Sequence, residues 1–162
     1  MAEFFAASLG KAQPGNVLDF SALLAQPPQS TEGWSAPEAF TAILIGAVTC
    51  DGELAAVEHE ELLALAHRSR ALKALSPGEL GELSAKAAAR LSDEPDALRS
   101  ACAALPEDMR QPVFAHALDL VLADGELNAD EADFLNTLIL ALKLERDDVS
   151  KITDVIVLKN RY

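Results

Sequence analysis

Two stretches of the chain carry carboxylates at spacings that could gather them around a positive charge. Residues 47–58 read Ala-Val-Thr-Cys-Asp-Gly-Glu-Leu-Ala-Ala-Val-Glu, and residues 120–131 read Leu-Val-Leu-Ala-Asp-Gly-Glu-Leu-Asn-Ala-Asp-Glu. Asp51, Gly52, Glu53, Leu54 and Glu58 thereby align with Asp124, Gly125, Glu126, Leu127 and Glu131, 73 positions further on. Carboxylates and turn carbonyls are the oxygen ligands that hard divalent cations take. Each copy lies between an apolar helix and a more charged one, so each reads as a helical hairpin whose turn holds Asp-Gly-Glu-Leu. In a cation site Asp51 and Asp124 would be the primary ligands, with Glu58 and Glu131 close behind.

The same residues also have a structural use. Glycine in the turn can close the first helix in the left-handed conformation, and Leu54 and Leu127 can plug the hairpin ends. Glu131 is the capping-box partner of Asn128, and a carboxylate near a helix N-terminus is favoured by the helix dipole. Two features are left over. Ala55 stands where Asn128 stands and cannot cap, yet Glu58 is still Glu. Asp51 and Asp124 fall at helix C-termini, where the dipole disfavours a negative charge by a few tenths to about 1 kcal/mol per copy. A bound cation would offset that cost in both copies. On these grounds cation binding and a purely structural turn both stay open. The turns are not EF-hand loops, because the sixth and twelfth positions counted from Asp124 are Ala129 and Leu135 instead of Gly and Glu.

Other reactive residues say less. His116 and Asp119, at i and i+3 on one helix, could form a ligand pair or a hydrogen-bonded structural pair. Cys50 precedes Asp51 and reads first as a small buried residue, with a soft-ligand role as the alternative. Cys102 reads as core, and His59 and His67 as solvent-facing. The chain has no Gly-rich phosphate loop, zinc-protease helix or nucleophile elbow. Paired carboxylates could do acid–base work, but no substrate pocket is recognisable, so the expectation is a binding protein and not an enzyme.

The elements that must position these turns are helices. Half of the residues are hydrophobic and only 5% are aromatic, with Ala and Leu, both strong helix formers, dominating. Capping-box patterns open helices at Ser35–Glu38, Ser76–Glu79 and Asn128–Glu131. Phe40, Ile43, Leu44, Ala47 and Val48 recur with helical period, and so do Leu80, Leu83, Ala87 and Leu91. A further helix carries Leu62, Leu65 and Ala66. Leu98 to Leu105 forms another, ended by Pro106. Val113 to Ala123, apolar nearly all round, predicts a central buried helix. Phe134 to Leu142 and Val149 to Val157 complete the set, with the β-branched run Val155 to Leu158 the one strand-like stretch. The expected fold is all-α, a bundle of about seven helices with two pseudo-symmetric hairpins. Residues 1–34, punctuated by Pro and Gly, read as an extension packing on the core through Phe4, Phe5, Val17, Leu18, Phe20, Leu23 and Leu24. Residues 35–162 read as the helical domain.

Charge narrows the partners. A net charge of −13 argues against nucleic acid, whose binders present Lys and Arg to phosphate, and against docking on anionic lipid by charge alone. A cation or a basic protein surface fits. The longest uncharged apolar run, residues 39–50, is too short to span a bilayer. The N-terminus lacks the basic start of a signal peptide, so the expected location is the cytoplasm and the two cysteines are expected to be free thiols.

An apolar helix ending in Ala-Asp-Gly-Glu-Leu, followed by Asn-Ala-Asp-Glu opening the next, resembles the TerB-type tellurite-resistance domain. The doubled Asp-Gly hairpin and the apolar tail around Leu142 to Ile152 extend the likeness over roughly residues 37–157. The resemblance implies an all-helical fold with internal pseudo-symmetry. It implies a role in tellurite resistance and related chemical-stress responses, exerted by binding, beside membrane-embedded protein partners of the same resistance system. It also implies a divalent metal cation chelated by acidic residues, which by motif are Asp51, Glu53, Glu58, Asp124, Glu126 and Glu131. Copy one departs from the pattern at Ala55 and Val57, where copy two has Asn128 and Asp130.

Overall fold

In the computed structural model, the described residues are 33–51, 64, 68–123 and 125–161. They form six helices and no strands: α1 (Ala36–Thr49), α2 (Pro77–Asp93), α3 (Ala97–Ala104), α4 (Glu107–Val121), α5 (Ala129–Ala141) and α6 (Arg146–Lys159). The helix expected around Leu62, Leu65 and Ala66 lies outside the described residues, and of the extension expected over residues 1–34 only Gly33 and Trp34 are described. Val155 to Leu158, the one strand-like stretch, is helical and belongs to α6.

The hub is α1 rather than the Val113–Ala123 helix expected from the sequence. Phe40, Ile43 and Leu44 are at most 2% exposed, and α1 packs against α2, α3 and α4 and also touches α5. Burying side chains of that size contributes about 1.5–3 kcal/mol each. The apolar run makes this possible, since Ala39, Ala42 and Ala47 let neighbouring helices approach between the larger groups. α4 buries only Val113, Phe114, Ala117, Leu118 and Val121. Its remaining face is half-exposed or exposed, because α4 starts six residues earlier than the apolar run and carries polar residues on its outer side. No helix among the described residues is long and apolar enough to cross a membrane.

Caps set the helix boundaries largely as read. Ser76 with Glu79 and Asn128 with Glu131 form full capping boxes. At Ser35 only half of the box forms. The Ser35 hydroxyl accepts from the Glu38 backbone N–H at 3.3 Å, but the Glu38 side chain turns inward. Glu38 is 3% exposed, and its carboxylate accepts from Lys86 Nζ and Arg90 Nη1, each at 3.2 Å. A buried carboxylate beside two cations is worth more to the helix than the weaker bond to a backbone N–H at its solvent-facing end. Arg90 also donates to the Gly33 carbonyl at 2.8 Å, and its guanidinium carbon lies 3.6 Å from the centroid of the Trp34 ring. This clamp ties the residues before α1 to α2.

The two cations of the clamp are unequal. The Lys86 side chain is 62% exposed and that of Arg90 is 18% exposed. Replacing Lys86 by Ala should cost under about 1 kcal/mol, as for an exposed pair. Arg90→Ala should cost about 3 kcal/mol, because it strips a buried carboxylate of its better partner and removes the Trp34 stack. Urea unfolding midpoints of the two variants check the order.

Candidate functional site

The first corner begins where α1 runs out. The Thr49 hydroxyl donates back to the Ile45 carbonyl at 2.8 Å, and the Cys50 thiol donates to the Ala47 carbonyl at 3.2 Å. Asp51 then stands exposed just past the helix end. Glu53 and Glu58 of the same turn lie outside the described residues.

The second corner is better defined. α4 stops at Leu122, whose carbonyl accepts from the Gly125 N–H at 3.1 Å. Gly125 takes φ +80°, a conformation few other residues tolerate. Leu127 is 8% exposed and plugs the hairpin. Glu131 Oε2 accepts from the Asn128 backbone N–H at 2.8 Å, and Asn128 Oδ1 accepts from the Glu131 N–H at 2.9 Å. Glu126 is exposed, and Asp124 lies outside the described residues.

The tertiary structure draws these corners together. A Cβ added at Gly46 would lie only 2.9 Å from Phe134 Cε2, so α1 and α5 meet closely there. One turn beyond that contact on α1 is Cys50, and one turn before it on α5 are Asp130 and Glu131. The Cys50 sulfur registers the result. Its pKa is pushed up to about 12, first by burial and then by the negative charges of Glu131, Asp51 and, more weakly, Asp130. Asp51 and Glu131, paired in the sequence only as members of separate copies, therefore act on one point. Asp130 joins them without having been singled out, although its place beside Glu131 in the first turn of α5 was the available signal.

The donors present suit a hard cation better than a soft one. Asp51, Asp130 and Glu131 offer carboxylate oxygens, which hard cations prefer, within electrostatic reach of the Cys50 thiol. Among the described residues, however, no three His, Cys, Asp or Glu side chains stand close enough together to hold an ion.

Comparison with known families gives a match over most of the chain. Residues 37–154 match the family described as tellurite resistance protein TerB. The chain belongs to the TerB family. The matched span runs from the first turn of α1 into α6 and includes both corners. Searches of curated proteins and of solved structures return no match.

Elsewhere in the TerB domain, His116 and Asp119 do not pair with each other by a hydrogen bond. Asp119 is claimed by α6: Lys159 Nζ donates to both its oxygens at 2.6 Å, and Asn160 Nδ2 donates at 2.9 Å. These bonds hold the Asp119 carboxyl below its usual range against the opposing effect of burial. His116 packs edge-on against Phe40, with ring centroids 5.9 Å apart, and burial lowers its pKa. An open cleft of about 260 Å³ beside Asp119 is lined also by Arg68, Leu120 and Lys159. Both cysteines are free, and Cys102 lies in the core. His59 and His67 lie outside the described residues.

The thiols make a testable signature. Burial pushes Cys102 from about 9 up to about 12. Above pH 9 the unfolded chain loses this proton while the folded chain keeps it, so stability is intact below pH 9 and falls as pH rises toward 12. The slope for Cys102 is about 1.4 kcal/mol per pH unit at most. A Cys102→Ala variant should be less stable at pH 7 but should lose less between pH 9 and 11, as read by urea unfolding at each pH.

Proposed function

We propose that this TerB-family domain works by binding rather than catalysis, in the tellurite-resistance and chemical-stress setting of its family, and that its ligand is a hard divalent cation. The observation that carries this reading is the convergence of Asp51, Glu131 and Asp130 on Cys50, which puts carboxylates of both hairpins in one electrostatic field. Like charges so placed repel, and a cation relieves them. Asp51 would supply ligand oxygens from the first turn, together with Glu53 and Glu58. Asp124, Glu126 and Glu131 would supply them from the second. The reading includes a cytoplasmic location and a protein partner with a basic face, including a membrane-embedded one.

A second reading has its own support. Glu131 already serves as capping partner for the Asn128 N–H. That use suits a metal-free acidic scaffold that docks on a basic loop of a membrane-embedded partner. Its binding would weaken with salt and survive chelator.

Calorimetric titration of metal-free protein with calcium, magnesium, manganese and zinc separates the two. The cation reading expects binding of an oxygen-preferring ion that weakens at least tenfold, about 1.4 kcal/mol, in Asp51→Asn, an exposed change that leaves the melting temperature nearly unaltered. Absence of heat for all four ions favours the scaffold.

A further inference from the structure

α6 has two faces, and among the described residues only one packs on the bundle. Val149 and Thr153 are buried against the bundle, with Ile152, Ile156 and Val157 half-buried beside them. On the opposite side Val155 and Leu158 are each 64% exposed, and they are the exposed large hydrophobic residues among those described. With Lys151 they form a single line at spacings of four and three, the pattern of a helix that packs along a second helix. Asp154 and Arg161, both exposed, flank this line and make no ion pair within the described residues.

We infer that this face pairs with the same face of a second copy, the two α6 helices running antiparallel about a twofold axis between Val155 and Leu158. Such an axis seats Val155 on the partner's Leu158 and, by symmetry, Leu158 on the partner's Val155. It also brings Asp154 across from the partner's Arg161, twice over. Antiparallel register follows from charge: a parallel pair would stack Lys151 on the partner's Lys151, whereas the antiparallel pair opposes acid to base and aligns the helix dipoles favourably. The location fits as well. Two molecules of net charge −13 repel, but the outer face of α6 carries Lys151 and Arg161 against Asp154, so the repulsion is reduced there. Lys159 is meanwhile held by Asp119 within its own chain. The stripe is narrow, well under the roughly 800 Å² per partner of a standard stable interface, so the dimer is weak and reversible.

Sedimentation equilibrium of the full chain from about 10 μM to about 1 mM, the range in which narrow interfaces assemble, tests this. The expected result is a monomer–dimer equilibrium that Leu158→Asp abolishes without changing the circular dichroism or melting temperature. Asp154→Arg should weaken the dimer, and adding Arg161→Asp to it should restore association. A chain that stays monomeric throughout overturns the inference. So does a dimer that Leu158→Asp leaves intact, a charge swap that restores nothing, or a monomer whose α6 face instead binds anionic lipid vesicles.

Discussion

The close approach of α1 and α5 at Gly46 and Phe134 is the constraint on which the candidate site depends. Without a side chain at Gly46, the Phe134 ring lies against the α1 backbone, and each helix's next turn is carried to the same place. The C-terminal end of α1 thus meets the start of α5. A larger residue at position 46 would meet the Phe134 ring at 2.9 Å, so the ring would have to shift. The acidic corner follows from this packing contact rather than from attraction between its own like-charged members.

That contact is possible because α1 is buried so thoroughly. Its apolar side chains fill the space between α2, α3 and α4, and its first turn is anchored by Glu38, Lys86 and Arg90. The anchor lies at one end of α1 and the acidic corner at the other. A helix fixed at its N-terminus and packed along its length has little freedom at its C-terminus, so Cys50 and Asp51 are presented from a rigid support. Membership of the TerB family over residues 37–154 covers both the support and the corner.

Charge is used differently at different places in the molecule. Glu38 and Asp119 are neutralised by cations of the chain itself. The charges of Glu131, Asp51 and Asp130 act together on Cys50, and with burial they hold its thiol protonated. The outer face of α6 alternates sign along a short apolar line.

Much of the fold was legible in the residues alone. Periodic Leu and Ala, the boxes at Ser76 and Asn128, and Gly125 at the end of the second turn are local signals, and local backbone hydrogen bonding settles them without reference to the rest of the chain. What sequence could not supply was anything that depends on which helices touch. Glu38 looked like a capping residue because Lys86 and Arg90, far along the chain, are invisible to a local pattern. His116 and Asp119 looked like a pair because Lys159 and Asn160 were not yet beside them. The six acidic positions could be named from their repeat, but only tertiary packing set Asp51 and Glu131 near one sulfur atom and brought in Asp130. Helix identity comes from interactions a few residues apart, whereas the approach of residues far apart in the chain is decided by the long-range contact between α1 and α5.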